Sequence, residues 1–348
     1  MTRCLLAVGS NLGDRETMLR DAASAIAQLP NSQLLAQSQW LKTSPVGGPE
    51  GQGAFLNGAL LLETQLPPHD LCRALLGIES DLGRQRDVRW DARAIDIDLL
   101  LYGEQIISSP ELTVPHPRMS FRQFVLVPAT EIAGEMMHPI LGANLAKLSA
   151  HLKAAPRYVA VTAAVTAIAD WLATLLADEL GCPRLEETLQ KQDSPGARST
   201  AGAIESMVQA GQLLSSSHWQ SQPVLAARLP SGQDTQPSEK VPVVSGFWGV
   251  ALAASAGIHA GHPDYLSAAG DVKPALVIAI EPTSSKDFSK KIFGESFKKK
   301  SVSVPLTDQE FTDFLDRSGQ GPMARIQTDD PAEIIQEVKA ALDSAWSD

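Results

Sequence analysis

The 348-residue chain has only three cysteines, Cys4, Cys72 and Cys182, odd in number and far apart. That excludes a disulfide framework and predicts free thiols in a reducing compartment. Basic charge is also short, with 29 Lys and Arg against 40 Asp and Glu and a formal net charge of -11. A general nucleic-acid binder carries a basic face, so no nucleic-acid partner is expected. No apolar run reaches the length of a membrane span. The run Cys4 to Val8 is too short for the hydrophobic region of a secretory signal. These absences predict a cytoplasmic protein with no membrane partner. What is present, 44% hydrophobic and 20% charged residues, is ordinary for a globular chain. The length predicts two domains.

Arg3 to Val8 reads as a buried strand, and Gly9-Ser10-Asn11-Leu12-Gly13 as a turn. Met18, Ala22, Ala25, Ile26 and Leu29 fall at helical spacing until Pro30-Asn31. Leu34 to Lys42 and Ala54 to Thr64 read as strands around a Gly- and Pro-rich loop, Thr43 to Gly53. Pro67-Pro68 opens a helix with Leu71, Leu75, Ile78 and Leu82 on one face. A strand from Ala94 to Leu101, a stiff loop from Thr113 to Arg118 and a mostly helical stretch from Phe124 to Leu148, broken near Pro139, complete the first half. The order strand, helix, strand, strand, helix, strand predicts an α/β sandwich of ferredoxin-like type over residues 1–152. A linker is expected over residues 153–157, with a second α/β domain over 158–348.

The chemistry concentrates between Arg84 and Asp98. Arg84, Arg86, Arg89 and Arg93 offer planar, permanently charged forks that suit phosphate oxygens. Trp90 among them calls for a flat partner. On the strand, Ile95, Ile97, Leu99 and Leu101 are expected to face a core, leaving Asp96 and Asp98 together on the other side, about 7 Å apart. Two adjacent carboxylates repel unless a cation lies between them, and magnesium suits hard oxygen ligands. Taken singly, an Asp-x-Asp pair is as readily a solvated edge, and an arginine run a solvated loop. Their adjacency favours a polyphosphate and metal site. His116, between Pro115 and Pro117 with Arg118 and Arg122 beyond, is either a structural residue or a phosphate donor.

A family resemblance rests on these segments in order: Gly9-Ser10-Asn11-Leu12-Gly13, Thr43-Ser44-Pro45-Val46-Gly47, Phe55-Leu56-Asn57, Glu79 with Gly83-Arg84, Arg89-Trp90, Arg93 with Ile95-Asp96-Ile97-Asp98-Leu99, and Val114-Pro115-His116-Pro117-Arg118-Met119. Residues 2 to about 150 resemble the 6-hydroxymethyl-7,8-dihydropterin pyrophosphokinases of folate synthesis. The resemblance implies transfer of pyrophosphate from ATP to the pterin hydroxymethyl group. It implies two magnesium ions held by Asp96 and Asp98, with catalytic and phosphate roles for Arg84 and Arg93. Arg86, Trp90, Thr113, His116, Arg118 and Arg122 would lie on the nucleotide side. Thr43, Pro45, Val46, Phe55, Asn57 and Phe124 would form the pterin pocket, the two phenylalanines sandwiching the ring. Glu79 matches an acidic position near the active site, its role left open. Asp91-Ala92 stands where the family usually has Gly-Pro.

The second half lacks the motif its layout calls for. Tyr158 to Thr162 followed by a helix to about Leu180 resembles the strand, turn and helix of a deoxynucleoside kinase. Yet Ala163, Ala169 and Asp170 stand where the phosphate loop needs its first glycine, lysine and hydroxyl residue. The resemblance implies a degenerate P-loop-kinase fold with a structural, regulatory or partner-binding role, including self-association. Lys286, Lys290, Lys291 and Lys298 to Lys300 read as a solvated surface, and His218-Trp219 and Phe247-Trp248 as packing residues. Two other readings stay open: a non-catalytic nucleotide or pterin binder, and a second half that still phosphorylates nucleosides.

Overall fold

The computed structural model describes residues 1–46, 53–83, 94–154, 158–180, 243–245, 276–293, 307–317 and 322–346. The chain divides into two compact units, Met1–Lys153 with Lys339–Asp348, and Ala154–Val338. Among the described residues no helix is long and apolar enough to cross a membrane. The whole is a mixed α/β protein.

The first unit is built on β1 (Thr2–Ser10), which pairs antiparallel on both sides. Helix α1 (Arg15–Ala27) follows, then β2 (Ser32–Gln37), β3 (Leu41–Thr43), β4 (Phe55–Thr64), α2 (Pro68–Asp81) and β5 (Asp96–Tyr102). The main sheet runs β2-β4-β1-β5, with β3 also pairing β4. Local chemistry starts each helix. Asp14 caps α1 by accepting the Thr17 N–H, and Pro68 occupies the first turn of α2, where a missing N–H costs nothing.

One face of the sheet packs under α1 and α2. Cys4, Leu6 and Val8 of β1, Leu60 and Leu62 of β4, and Ile97 and Leu99 of β5 meet Leu19, Ala22 and Ile26 of α1 and Leu71, Leu75 and Ile78 of α2. Burial raises the Cys4 thiol to about 12, so it is an inert core group. The opposite face packs against α3 (Gln123–Ala133), which lies over β4, β1 and β3. The unit therefore has a helix layer on both sides of the sheet.

Four expectations from the sequence are corrected. Gly9 and Ser10 are not turn residues; β1 continues through them, opposite Asn57 and Leu56. The stretch from Leu34 to Lys42 is two strands. Ser38 interrupts it by exchanging bonds with Ala59, its N–H donating to the Ala59 carbonyl at 3.0 Å and its Oγ accepting the Ala59 N–H at 2.9 Å. Alternation along β5 also fails at one point. A bulge pairs Leu6 with Leu99 but Leu5 with Leu101, so Leu101 turns to the opposite face and Tyr102 joins the α1/α2 core. Finally, the stretch after α3 is not a helix with a break. It contains a short antiparallel pair, β8 (Met137–His138) with β9 (Ala143–Asn144), before α4 (Leu145–Ala154). Between β5 and α3 lies another short pair, β6 (Ile107–Ser108) with β7 (Thr113–Val114).

The described strands of the second unit are β10 (Tyr158–Ala163), β11 (Val243–Ser245), β12 (Leu276–Ile280) and β13 (Met323–Ile326). They form a parallel sheet in the order β11-β10-β12-β13. Every residue of β12 is buried, as a strand covered on both faces requires. The described helices from residue 154 onward are α5 (Thr166–Leu180), α6 (Ser285–Phe293), α7 (Asp308–Arg317) and α8 (Pro331–Trp346), of which residues 339–346 count with the first unit. Asp330 caps α8 by accepting the Ala332 N–H. Trp171 meets Phe288 edge-on, with centroids 6.1 Å apart. Only Ala164 and Val165 separate β10 from α5. Ala169, which aligns with the lysine of a phosphate loop, is a buried residue inside α5. Lys290 is ion-paired with Asp287 one turn away at 3.9 Å, and Lys291 donates to the Asp329 carbonyl at 2.7 Å. His218-Trp219, Phe247-Trp248 and Lys298 to Lys300 lie outside the described residues.

One glycine is dictated by packing rather than by backbone conformation. A Cβ on Gly58 would stand 2.3 Å from Cε3 and Cζ3 of the Trp40 ring. Trp40 packs on the α1/α2 core, so it cannot withdraw cheaply. Gly58→Ala is expected to destabilise the protein by about 1–3 kcal/mol, measured as a shift in the urea unfolding midpoint.

Candidate functional site

The strand register brings the sequence-predicted residues into rows. Gly9 of β1 faces Asn57 on β4 and Asp96 on β5, and Ala7 faces Ala59 and Asp98. Side chains alternate along each strand, so Asn57, Asp96 and Asp98 share the sheet face opposite α1 and α2. Asn57 and Asp96 are thus two strand spacings apart, about 10 Å. Between them Gly9 contributes no side chain. A Cβ there would come within 2.9 Å of Asn57 Oδ1. The result is an amide at one end of a bare strip and two carboxylates at the other.

Asn57 is buried and fixed. Its Nδ2 donates to Thr43 Oγ1 at 2.8 Å, and Thr43 is itself buried. This bond turns the Asn57 Oδ1 toward Gly9. Phe55, paired with Thr43, and Phe124, at the start of α3, are both half-buried. Pro45 and Val46 follow β3 and are half-buried as well. Arg122 lies over the Phe124 ring, with Cζ 5.5 Å from the centroid, in cation–π range. Arg15 donates to the carbonyl of Ala54 and tethers the residue before β4 to α1.

At the other end, His116 is docked beside the bulge of β5, its N–H donating to the Leu100 carbonyl at 2.9 Å. Its Nε2 lies 3.9 Å from Asp98 Oδ2, a separation that leaves no direct hydrogen bond. Nδ1 accepts the Arg118 N–H at 3.2 Å. An accepting Nδ1 carries no proton, so the neutral ring holds its hydrogen on Nε2, facing Asp98. Burial, then Arg122 and Arg118, hold its pKa down to about 3, with Asp96 opposing. Thr113, on β7, is exposed.

Asp96 and Asp98 are half-buried, adjacent on one face and anchored by β1. Among the described residues no group of three or more His, Cys, Asp or Glu side chains is placed to hold a metal. Two carboxylates alone suit a magnesium ion that takes its other oxygens from phosphate and water. Arg84, Arg86, Arg89, Trp90 and Arg93, with Asp91-Ala92, lie outside the described residues, as do residues 47–52 of the glycine-rich loop. Two residues of the family motifs had no physical role in the sequence reading. Gly9, read there as part of a turn, leaves space as a glycine inside a strand. Glu79 is buried at the end of α2, and its Oε1 accepts the Ile97 N–H at 2.7 Å.

The fold and this face define an α/β protein with a buried amide, Asn57, and two adjacent carboxylates, Asp96 and Asp98, on one sheet face. The model of the 7,8-dihydro-6-hydroxymethylpterin-pyrophosphokinase family matches residues 5–134. The chain is 42% identical over 137 residues to the 2-amino-4-hydroxy-6-hydroxymethyldihydropteridine pyrophosphokinase of Pseudomonas aeruginosa, covering 39% of this chain and 84% of that protein. The protein of the same name from Bacillus subtilis is 44% identical over 131 residues, covering 38% and 78%. The chain belongs to this family through its first unit. A solved structure of Plasmodium falciparum HPPK-DHPS covers 97% of this chain and 80% of that one at 10% identity, with a TM-score of 0.34. A likeness that weak assigns the second unit neither fold nor role.

The tautomer is directly observable. Nitrogen-15 spectra of the protein are expected to show His116 as the Nε2–H form. The ring is expected not to titrate from pH 8 down to pH 5, because its pKa lies near 3. An imidazolium signal at pH 6 would contradict this.

Proposed function

We propose that the first unit transfers pyrophosphate from ATP to the hydroxymethyl group of 6-hydroxymethyl-7,8-dihydropterin, releasing AMP, as a step of folate synthesis. The observation that carries this reading is the row Asn57, Gly9, Asp96. The amide and Thr43 read the polar edge of the pterin, with Phe55 and Phe124 against its faces and Pro45 and Val46 closing the pocket. Bare Gly9 admits the ring, which spans the strip and presents its hydroxymethyl group toward Asp96 and Asp98. These two would hold two magnesium ions, which supply charge neutralisation and alignment of the triphosphate. Arg86, Trp90, Thr113, His116, Arg118 and Arg122 take the nucleotide side, with Arg84 and Arg93 on the transferring group. His116 contributes a neutral donor there, at Nε2. Nothing in this scheme needs a protein nucleophile. The chain aligns the hydroxyl with the β-phosphorus and excludes water.

Family membership, with 42% identity to a curated relative over nearly its whole length, weighs against the non-catalytic alternative. The second unit we propose to be a degenerate P-loop-kinase-type domain spanning 158–348, joined by residues 153–157. Its parallel sheet supports an α/β fold. The two-residue turn after β10 and buried Ala169 leave no glycine loop or lysine for phosphate, which weighs against a working nucleoside kinase. Its role is then structural, regulatory or in binding a protein partner, including a second copy. A cytoplasmic location accords with Cys4 being a buried thiol.

The full-length protein is expected to form AMP from ATP in the presence of magnesium and the dihydropterin. Asp96→Asn and Asp98→Asn should each lower kcat by on the order of 10²-fold or more. No AMP from the wild-type protein would refute the assignment. Gly9→Ala tests the strip separately. The added methyl forces Asn57 to rotate out of its bond with Thr43, so KM for the pterin should rise about tenfold while KM for ATP stays within twofold.

A further inference from the structure

Glu79 has no part in the scheme above, yet its placement is costly. It stands in the last turn of α2, where the helix dipole disfavours a carboxylate, and it is 1% exposed. Its Oε1 reaches the backbone of β5 and accepts the Ile97 N–H at 2.7 Å. Ile97 is the residue between Asp96 and Asp98. Among the described strands β5 lies at the edge of its sheet, paired with β1 alone. Backbone groups in an antiparallel pair alternate in direction. The Ile97 N–H therefore points away from β1, while the flanking aspartates turn their backbone groups toward it. β1 holds Asp96 and Asp98 from one side, and Glu79 holds the residue between them from the other.

We propose that Glu79 is a positioning residue, clasping β5 at Ile97 so that Asp96 and Asp98 keep the directions needed to share cations. The proposal rests on the pyrophosphokinase reading of the site. Edge strands twist and fray more readily than interior ones, and a change in peptide orientation at Ile97 swings the two carboxylates apart. The clasp also ties the end of α2 to the start of β5, closing the base of the segment that carries the four arginines. Glu79 acts through its acceptor oxygen, so a neutral amide should serve and an apolar side chain of similar volume should not.

The test uses full-length protein, with Glu79→Gln and Glu79→Met compared against wild type. Glu79→Gln should stay within about threefold of wild-type kcat. Glu79→Met should raise the magnesium concentration needed for half-maximal rate by about tenfold and lower kcat by 10- to 100-fold. KM for the pterin should move less than twofold. Mn²⁺ titration with a non-hydrolysable ATP analogue, followed by electron paramagnetic resonance, reads the same weakening without turnover. A wild-type protein that makes no AMP sinks the functional reading, whereas the Mn²⁺ arm still judges the clasp. Unchanged metal response in Glu79→Met overturns the proposal, and so does loss of more than tenfold in a folded Glu79→Gln. If Glu79→Met does not fold, amide exchange in the wild type decides. The Ile97 N–H should be protected despite its edge position, and rapid exchange there overturns the clasp.

Discussion

The register of β1 against its two neighbours is the constraint on which the site depends. Gly9 must face Asn57 on one side and Asp96 on the other. A slip of one residue in either pair would send every side chain of that strand to the opposite face. The α1/α2 core enforces the register. Cys4, Leu6 and Val8 are fully or nearly fully buried, and the same alternation that buries them turns Ala7 and Gly9 toward the site. Stability and function are thus written on alternate residues of one strand. The small residues Ala7 and Gly9 leave room on that side, which the proposed ring would use.

Much of this was legible in the sequence. The alternation Ile95-Asp96-Ile97-Asp98 announces two carboxylates on one strand face, and the ordered family motifs place Asn57 and Thr43 together. The strands and helices of the first unit follow from period-2 and period-3.6 patterns. What escaped was set by tertiary contacts. Ser38 breaks an otherwise plausible strand because its hydroxyl replaces the ladder partner of Ala59. The bulge at Leu100 is invisible among apolar residues, since Leu99, Leu100 and Leu101 satisfy either face. Gly9 and Ser10 read as a turn because glycine and serine favour turns locally. Nine paired residues of β1 outweigh that preference.

The second unit shows the converse. The strand from Tyr158 and the helix to about Leu180 are legible, yet the segment between them that would have announced a chemistry contains none. Phosphate loops depend on glycines that free successive N–H groups and on a lysine that neutralises charge. Here Ala163 closes β10, Ala169 is buried inside α5, and only two residues join the strand to the helix. Alanine at position 169 suits the helix that begins at Thr166.

Charge at the first site is arranged so that few groups need change state. His116 sits among Arg118, Arg122 and two aspartates, where an imidazolium would compete with magnesium for the same carboxylates. The Arg118 N–H occupies Nδ1 and burial opposes protonation, so the ring stays neutral. A neutral donor can approach a polyphosphate without displacing its cations. In the proposed transfer the positive charge is left to magnesium and arginine, whose charge does not vary over the working pH range. Asp96 and Asp98 would then hold cations with no competing proton carrier beside them.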